Sequence, residues 1–220
     1  MSAEFLETLE IETAPGPQAS IIWMHGLGAD GNDFAPLADE IDLPPGVRYI
    51  FPHAPMMPVS INGGYVMRAW YDISDAAIRR EDEAGVRASQ QSVEALLARE
   101  KSRGIAAGRI VLAGFSQGGA IALQTGLRHS ERLAGIMALS TYVPIADQLA
   151  AEAAPANRDV PIFMAHGTHD PMIPLARAQS SRELLLRLDY SVEWREYRME
   201  HSVCPQEIAD IGKWLRRVLA

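Results

Sequence analysis

The pentapeptide Gly114-Phe115-Ser116-Gln117-Gly118 constrains this chain more than any other stretch. It follows the apolar run Ile110-Val111-Leu112-Ala113 and precedes Gly119-Ala120-Ile121-Ala122-Leu123-Gln124, a segment of helical character. A G-x-S-x-G sequence between a strand and a helix demands a sharp turn with the serine at its apex. The serine backbone is strained there, and the residues two before and two after it must be nearly side-chain-free to let the backbones pass. The Ser116 hydroxyl then stands exposed above the sheet. The next backbone N–H, that of Gln117, sits at a helix N-terminus, where it stabilises an oxyanion. The pentapeptide alone is weak, because a Gly-rich turn whose serine merely caps the helix reads the same way. The rest of the chain has to separate the two readings.

Short β-rich runs alternate with amphipathic stretches. Ile21-Ile22-Trp23-Met24 reads as a buried strand, and Val47-Arg48-Tyr49-Ile50-Phe51 as another, halted by Pro52. Residues 109–115, 133–140, 160–165 and 191–197 read as four more. The middle runs are apolar throughout, as expected when both faces of a sheet are covered. Val86, Val93, Leu96 and Leu97 share a face of a helix over residues 82–102, with Gly104 as its stop. Ile208, Ile211, Leu215 and Val218 share a face of a C-terminal helix. This alternation predicts an α/β fold with a mainly parallel central sheet and helices on both faces. Residues 6–12 alternate apolar and polar, the pattern of an antiparallel edge strand. Residues 52–80 form the one long irregular stretch; it reads as a substrate wall, as a hairpin or loop covering the core, or as both.

A chain of 220 residues with 48% hydrophobic content is enough for one sizeable core, so residues 1–220 read as a single domain. The net charge of -8 repels phosphate backbones and argues against nucleic-acid partners. The single cysteine, Cys204, excludes an intrachain disulfide and a cysteine-rich metal site. Residues 1–7 lack a basic region followed by an apolar stretch, so no signal peptide is expected, and no apolar run approaches the ~20 residues of a membrane helix. A cytoplasmic location is the expectation.

If Ser116 is a nucleophile it needs a base, and the base needs an orienting carboxylate. Catalytic groups in such sheets gather beyond the carboxyl ends of parallel strands, and where the serine sits on an elbow of this kind the chain order is serine, acid, histidine. Of His166, His169 and His201, only His201 leaves room upstream for a carboxylate that also follows a strand. Asp147 falls in a helix, and Asp159 and Asp189 precede strands, at the wrong end. Asp170, in Gly167-Thr168-His169-Asp170-Pro171, is the best candidate, against the reading in which it caps the helix after Pro174. A second oxyanion donor is expected after an early strand, where glycines flanking Leu27 let its N–H point into the site. His25 reads as a structural histidine at a strand end. Met67 and Trp70 in the irregular stretch, and Met172 beside Asp170, are the expected substrate contacts.

Gly26-Leu27-Gly28-Ala29-Asp30-Gly31 also matches the dinucleotide fingerprint G-x-G-x-x-G. That fingerprint wants an acid at the end of the next strand, and Ile50-Phe51-Pro52-His53 has none. Cys204 reads as a small buried hydrophobe at a helix start. No metal-ligand cluster and no cofactor are expected.

Four motifs together resemble a known family: residues 25–34 (HGLGADGNDF), 67–72 (MRAWYD), 114–119 (GFSQGG) and 166–170 (HGTHD). They look like the bacterial carboxylesterases of the phospholipase/carboxylesterase family, to which acyl-protein thioesterases also belong. The resemblance implies an α/β-hydrolase fold with little or no cap, Ser116, Asp170 and His201 as a triad, and Leu27 and Gln117 N–H groups as oxyanion donors. The implied activity is hydrolysis of small or medium acyl esters through an acyl-enzyme, with acyl-protein thioesterase or lysophospholipase as the alternative. A catalytically silent ligand-binding member of the fold and a dinucleotide-dependent oxidoreductase are the readings from other classes. A homodimer rests on the resemblance alone. One departure stands out: Glu200 replaces the glycine usual before the catalytic histidine, placing a carboxylate beside His201.

Overall fold

In the computed structural model, which describes residues 6–74 and 82–220, seven strands form one twisted sheet. The strands of the chain are β1 Thr8–Glu12, β2 Ala19–Met24, β3 Val47–Pro52, β4 Met56–Val59, β5 Tyr65–Arg68, β6 Ile110–Phe115, β7 Gly135–Leu139, β8 Ile162–Gly167 and β9 Val192–Tyr197. The helices are α1 Leu37–Glu40, α2 Glu83–Ser102, α3 Gln117–Gly126, α4 Ala146–Glu152, α5 Leu175–Arg187 and α6 Pro205–Val218. The sheet order is β1-β3-β2-β6-β7-β8-β9. β1 runs antiparallel to β3 and every other neighbouring pair is parallel.

Alternation along the central strands assigns their side chains to two apolar layers. Ile22 and Met24 of β2 and Ile110 and Leu112 of β6 join the layer under α2 and α3. Ile21, Trp23, Val111 and Ala113 join the opposite layer, under α1 and α6. Every residue of α3 is buried, because it is sandwiched between the sheet and α2. After β2 the chain moves outward to β3, then returns to place β6 on the other side of β2. That reversal opens a crevice at the carboxyl ends of β2 and β6, where open α/β sheets bind ligands.

The stretch from 52 to 80 is less irregular than its sequence suggests. β4 and β5 pair antiparallel as a hairpin across Gly63 and Gly64, both at positive φ. Pro58 and the two glycines obscure the strand alternation in the sequence. Residues 75–80 of that stretch, and residues 1–5 of the N-terminal segment, lie outside the described residues. Between β7 and β8 stands only the short α4 and a single helical turn at Pro155–Asn157, so among the described residues no large cap covers the sheet. Among the described residues no helix is long and apolar enough to cross a membrane.

Candidate active site

Ser116 joins β6 to α3 with φ 55° and ψ −122°, a backbone conformation that costs a β-substituted residue energy. The strain is held from several sides. Ser116 N–H donates to the Leu139 carbonyl at 2.9 Å, and Thr141 Oγ1 donates to the Ser116 carbonyl at 2.7 Å. The glycines at the turn are steric necessities: a Cβ on Gly114 would lie 2.2 Å from the Gly118 carbonyl carbon, and one on Gly118 would lie 2.3 Å from the Met24 oxygen. Ser116 occupies the N-cap position of α3, yet its side chain makes no capping bond. The helix-cap reading of the pentapeptide is therefore not what the turn displays.

Asp170 and His201 come from different loops and meet. Asp170 Oδ2 accepts from His201 Nδ1 at 2.7 Å, while Oδ1 accepts from the N–H groups of Met172 and Ile173 at 2.8 and 2.9 Å. The latter bonds form a turn after β8 rather than a cap on α5, which starts at Leu175. The two loops are stitched together by Thr168 N–H to the Tyr197 carbonyl (2.8 Å) and His169 N–H to the Met199 carbonyl (3.0 Å). The His201 ring packs on Phe115, with centroids 4.7 Å apart, which seats it beside the residue preceding Ser116. Glu200 is exposed, and its carbonyl closes over the end of β8, where a Cβ on Gly167 would approach it to 2.3 Å.

The turn after β2 lies over the elbow. A Cβ on Gly26 would sit 3.4 Å from the Ser116 Cβ, so glycine lets the Leu27 segment approach the serine. Gly26-Leu27-Gly28-Ala29-Asp30-Gly31 does not open a helix, since α1 begins only at Leu37; the dinucleotide fingerprint needs one there. Its last glycine serves packing instead, because a Cβ on Gly31 would meet the Phe51 carbonyl oxygen at 2.4 Å.

His25 is structural, as expected. It is buried, its Nδ1 donates to the Gly26 carbonyl at 2.7 Å, and its Nε2 accepts from Ala54 N–H at 3.0 Å. Burial holds its pKa down to about 4, so the ring is neutral with the proton on Nδ1. His166 is also buried, and burial lowers its pKa. Its Nε2 donates to the Ile173 carbonyl at 2.8 Å and lies 3.4 Å from Asp170 Oδ2, so it braces the Asp170 turn without displacing His201.

The three expected substrate contacts part ways. Met67 lies beside the Leu27 turn, its Sδ 3.6 Å from where a Gly28 Cβ would be, and Met172 is exposed next to Asp170. Trp70 does not fit that expectation. It is 2% exposed, and its indole N–H donates to the His25 carbonyl at 2.8 Å. It supports the turn from beneath, and the His25 carbonyl satisfies its buried indole N–H.

Sequence reasoning missed Glu207. Its carboxyl is fully buried under α6, and burial pushes its pKa up to about 8. The Cys204 N–H works against that shift but falls short of a full hydrogen bond. The signal was present: Glu207 stands four residues before Ile211 and eight before Leu215, on the apolar face. Cys204 itself is half-buried at the start of α6. A carboxyl whose folded pKa lies above its ordinary 4.5 contributes stability that is fully present below 4.5 and is lost as pH rises through about 8. Glu207→Gln removes that loss, so its stability relative to the unaltered protein is expected to grow by about 1.4 kcal/mol per pH unit between those values. Urea unfolding at about pH 5, 6.5 and 8 reads this directly, and a constant difference between the two proteins would refute it. His25 acts in the opposite sense, since its contribution is lost as pH falls from 6.5 toward 4.

Comparison with known proteins places the chain in a family. The family model described as Phospholipase/Carboxylesterase matches residues 7–219. Acyl-protein thioesterase 1 of Gibberella zeae is 38% identical over 100% of this chain and 98% of its own length. Acyl-protein thioesterase 1 of Yarrowia lipolytica is 40% identical over 90% of each chain. Among solved structures, Zea mays acyl-protein thioesterase 2 superposes with a TM-score of 0.86 at 27% identity, covering 98% of this chain and 100% of its own. These relatives are eukaryotic thioesterases, so the narrower resemblance to bacterial carboxylesterases is not borne out by them. The match over nearly the whole chain shows that it belongs to the phospholipase/carboxylesterase family of α/β-hydrolases.

Proposed function

We propose that this protein is a serine-dependent acyl hydrolase that cleaves acyl thioesters and also accepts oxyesters, with Ser116, Asp170 and His201 as its triad. The observation that carries the reading is the 2.7 Å Asp170–His201 bond, held on stitched loops, with the His201 ring packed at a tilt against the residue that precedes the strained Ser116. In the proposed reaction His201 Nε2 takes the Ser116 proton as Oγ attacks the acyl carbonyl. The Leu27 and Gln117 N–H groups hold the oxyanion. His201 then protonates the departing thiol or alcohol and activates water to release the acid. Asp170 keeps the imidazole proton on Nδ1 and stabilises the cation that forms. Met67 and Met172 offer apolar contact to the acyl chain beside these groups. The names of the relatives favour thioesters over the simple esters that the sequence alone suggested.

The test compares an S-acyl cysteine peptide with an O-acyl serine peptide carrying the same chain. A thiol of pKa about 8.5 is a far better leaving group than an alcohol, so kcat/KM is expected to be at least about tenfold higher for the thioester. Cleavage of the oxyester with none of the thioester would return the assignment to a carboxylesterase. Cleavage of neither, with no fluorophosphonate adduct on Ser116, would leave a ligand-binding role.

A further inference from the structure

We infer that the Gln117 side chain is a positioning group: its carboxamide bridges the backbone of residues 70 and 71 and thereby holds the two oxyanion-donor turns as one unit. The inference rests on the assignment of the Leu27 and Gln117 N–H groups proposed above. That assignment uses only the backbone of Gln117, which a residue of almost any type would supply. The side chain is nevertheless buried, and both of its polar atoms are hydrogen-bonded. Its Oε1 accepts from Trp70 N–H at 3.1 Å, and its Nε2 donates to the Tyr71 carbonyl at 2.9 Å.

The segment it grips also holds the other turn. The Trp70 indole N–H donates to the His25 carbonyl at 2.8 Å, and the Arg68 carbonyl accepts from Gly28 N–H at 2.9 Å. Leu27 therefore lies between two anchors that both belong to residues 68–70. Ser89 Oγ in α2 donates to the Trp70 carbonyl and fixes the segment from its far side. Residues 69–74 belong to no strand or helix, so nothing in a sheet or helix ladder would replace the carboxamide. One side chain thus links the N–H at the start of α3 to the N–H of the Leu27 turn through three buried hydrogen bonds and a fourth at the exposed Gly28. Preorganised donors stabilise a transition state because they need no rearrangement when charge develops. Freeing one turn from the other forfeits that advantage while leaving substrate binding nearly untouched.

The carboxamide supplies one acceptor and one donor in fixed directions, and this gives the inference its test. Gln117→Met keeps the shape and removes both bonds. Gln117→Glu when ionised accepts from Trp70 but faces the Tyr71 carbonyl with a second acceptor; when protonated, its C=O and O–H reproduce both bonds. Turnover of a p-nitrophenyl ester is measured across pH, with active sites counted by fluorophosphonate labelling. For Gln117→Met, kcat per active site is expected to fall about 10- to 100-fold, the scale of a misplaced donor, with KM within about threefold of the unaltered protein. For Gln117→Glu, the ratio of its kcat to that of the unaltered protein is expected to rise as pH falls, whereas the Gln117→Met ratio stays flat. A side chain that served stability alone would change the number of active sites without changing kcat per site. Unchanged kcat in Gln117→Met, a loss confined to KM, or a pH-independent ratio for Gln117→Glu would each overturn the inference. If Gln117→Met does not fold, the acid recovery of Gln117→Glu decides alone. Failure of the unaltered protein to label or turn over would instead defeat the underlying assignment of Ser116.

Discussion

Ser116→Ala is expected to lower kcat by about 10⁶-fold while the fold and the affinity for substrate persist, because in the proposed reaction nucleophile and base act as one unit. The elbow does not depend on the hydroxyl. Its strain is held by the Leu139 and Thr141 contacts to the Ser116 backbone, and the side chain makes no capping bond that alanine would lose. His201→Ala is expected to fall to a similar level, and the double variant to go hardly lower, since removing either group stops the same proton transfer. Thermal unfolding within a few degrees of the unaltered protein, together with the loss of the fluorophosphonate adduct, completes the check. Retention of more than about a tenth of activity in Ser116→Ala would remove this serine from the mechanism.

Asp170→Asn comes next, with an expected loss of about 10⁴-fold in kcat. The direction follows from the hydrogen bonds around the carboxylate. Oδ1 is occupied by two backbone donors, Met172 and Ile173, so the asparagine oxygen has to face them. Its NH₂ group then points at His201 Nδ1, the position now taken by Oδ2. A donor facing Nδ1 forces the imidazole proton onto Nε2, and the nitrogen that should take the Ser116 proton is blocked. Little loss of stability is expected, because the turn keeps both backbone bonds. Kinetics at saturating substrate and an NMR assignment of the His201 tautomer would check the two halves of the argument separately. An active enzyme with the tautomer shifted would show that Asp170 does not set the orientation on which turnover depends.

Much of this arrangement is legible in the chain. The apolar runs of β2, β6, β7 and β8 name the central strands because both their faces are covered. Glycine at 114 and 118 names the elbow, because no other residue fits between backbones that pass so closely. The order of Ser116, Asp170 and His201 at strand ends then follows from topology. The hairpin β4–β5 was harder to read, since proline and paired glycines break its alternation. The place of Trp70 is illegible for a different reason. An aromatic residue in an apolar loop looks the same in sequence whether its ring faces a ligand or lies beneath the site.

By itself the sequence determined the strand–helix alternation, the sharp turn at Ser116 and the types of side chain that would gather there. These depend on local sterics and on periodicity, which act within a few residues along the chain. The tertiary structure alone decided which groups meet. Asp170 and His201 share a hydrogen bond because the ends of β8 and β9 lie side by side. Gln117 reaches residues 70 and 71 because a segment some 46 positions away packs over the elbow. Burial pushes the pKa of Glu207 up to about 8 because its place on α6 turns it inward. Hydrogen bonding and desolvation depend on distance in space, and no local pattern in the chain encodes that distance.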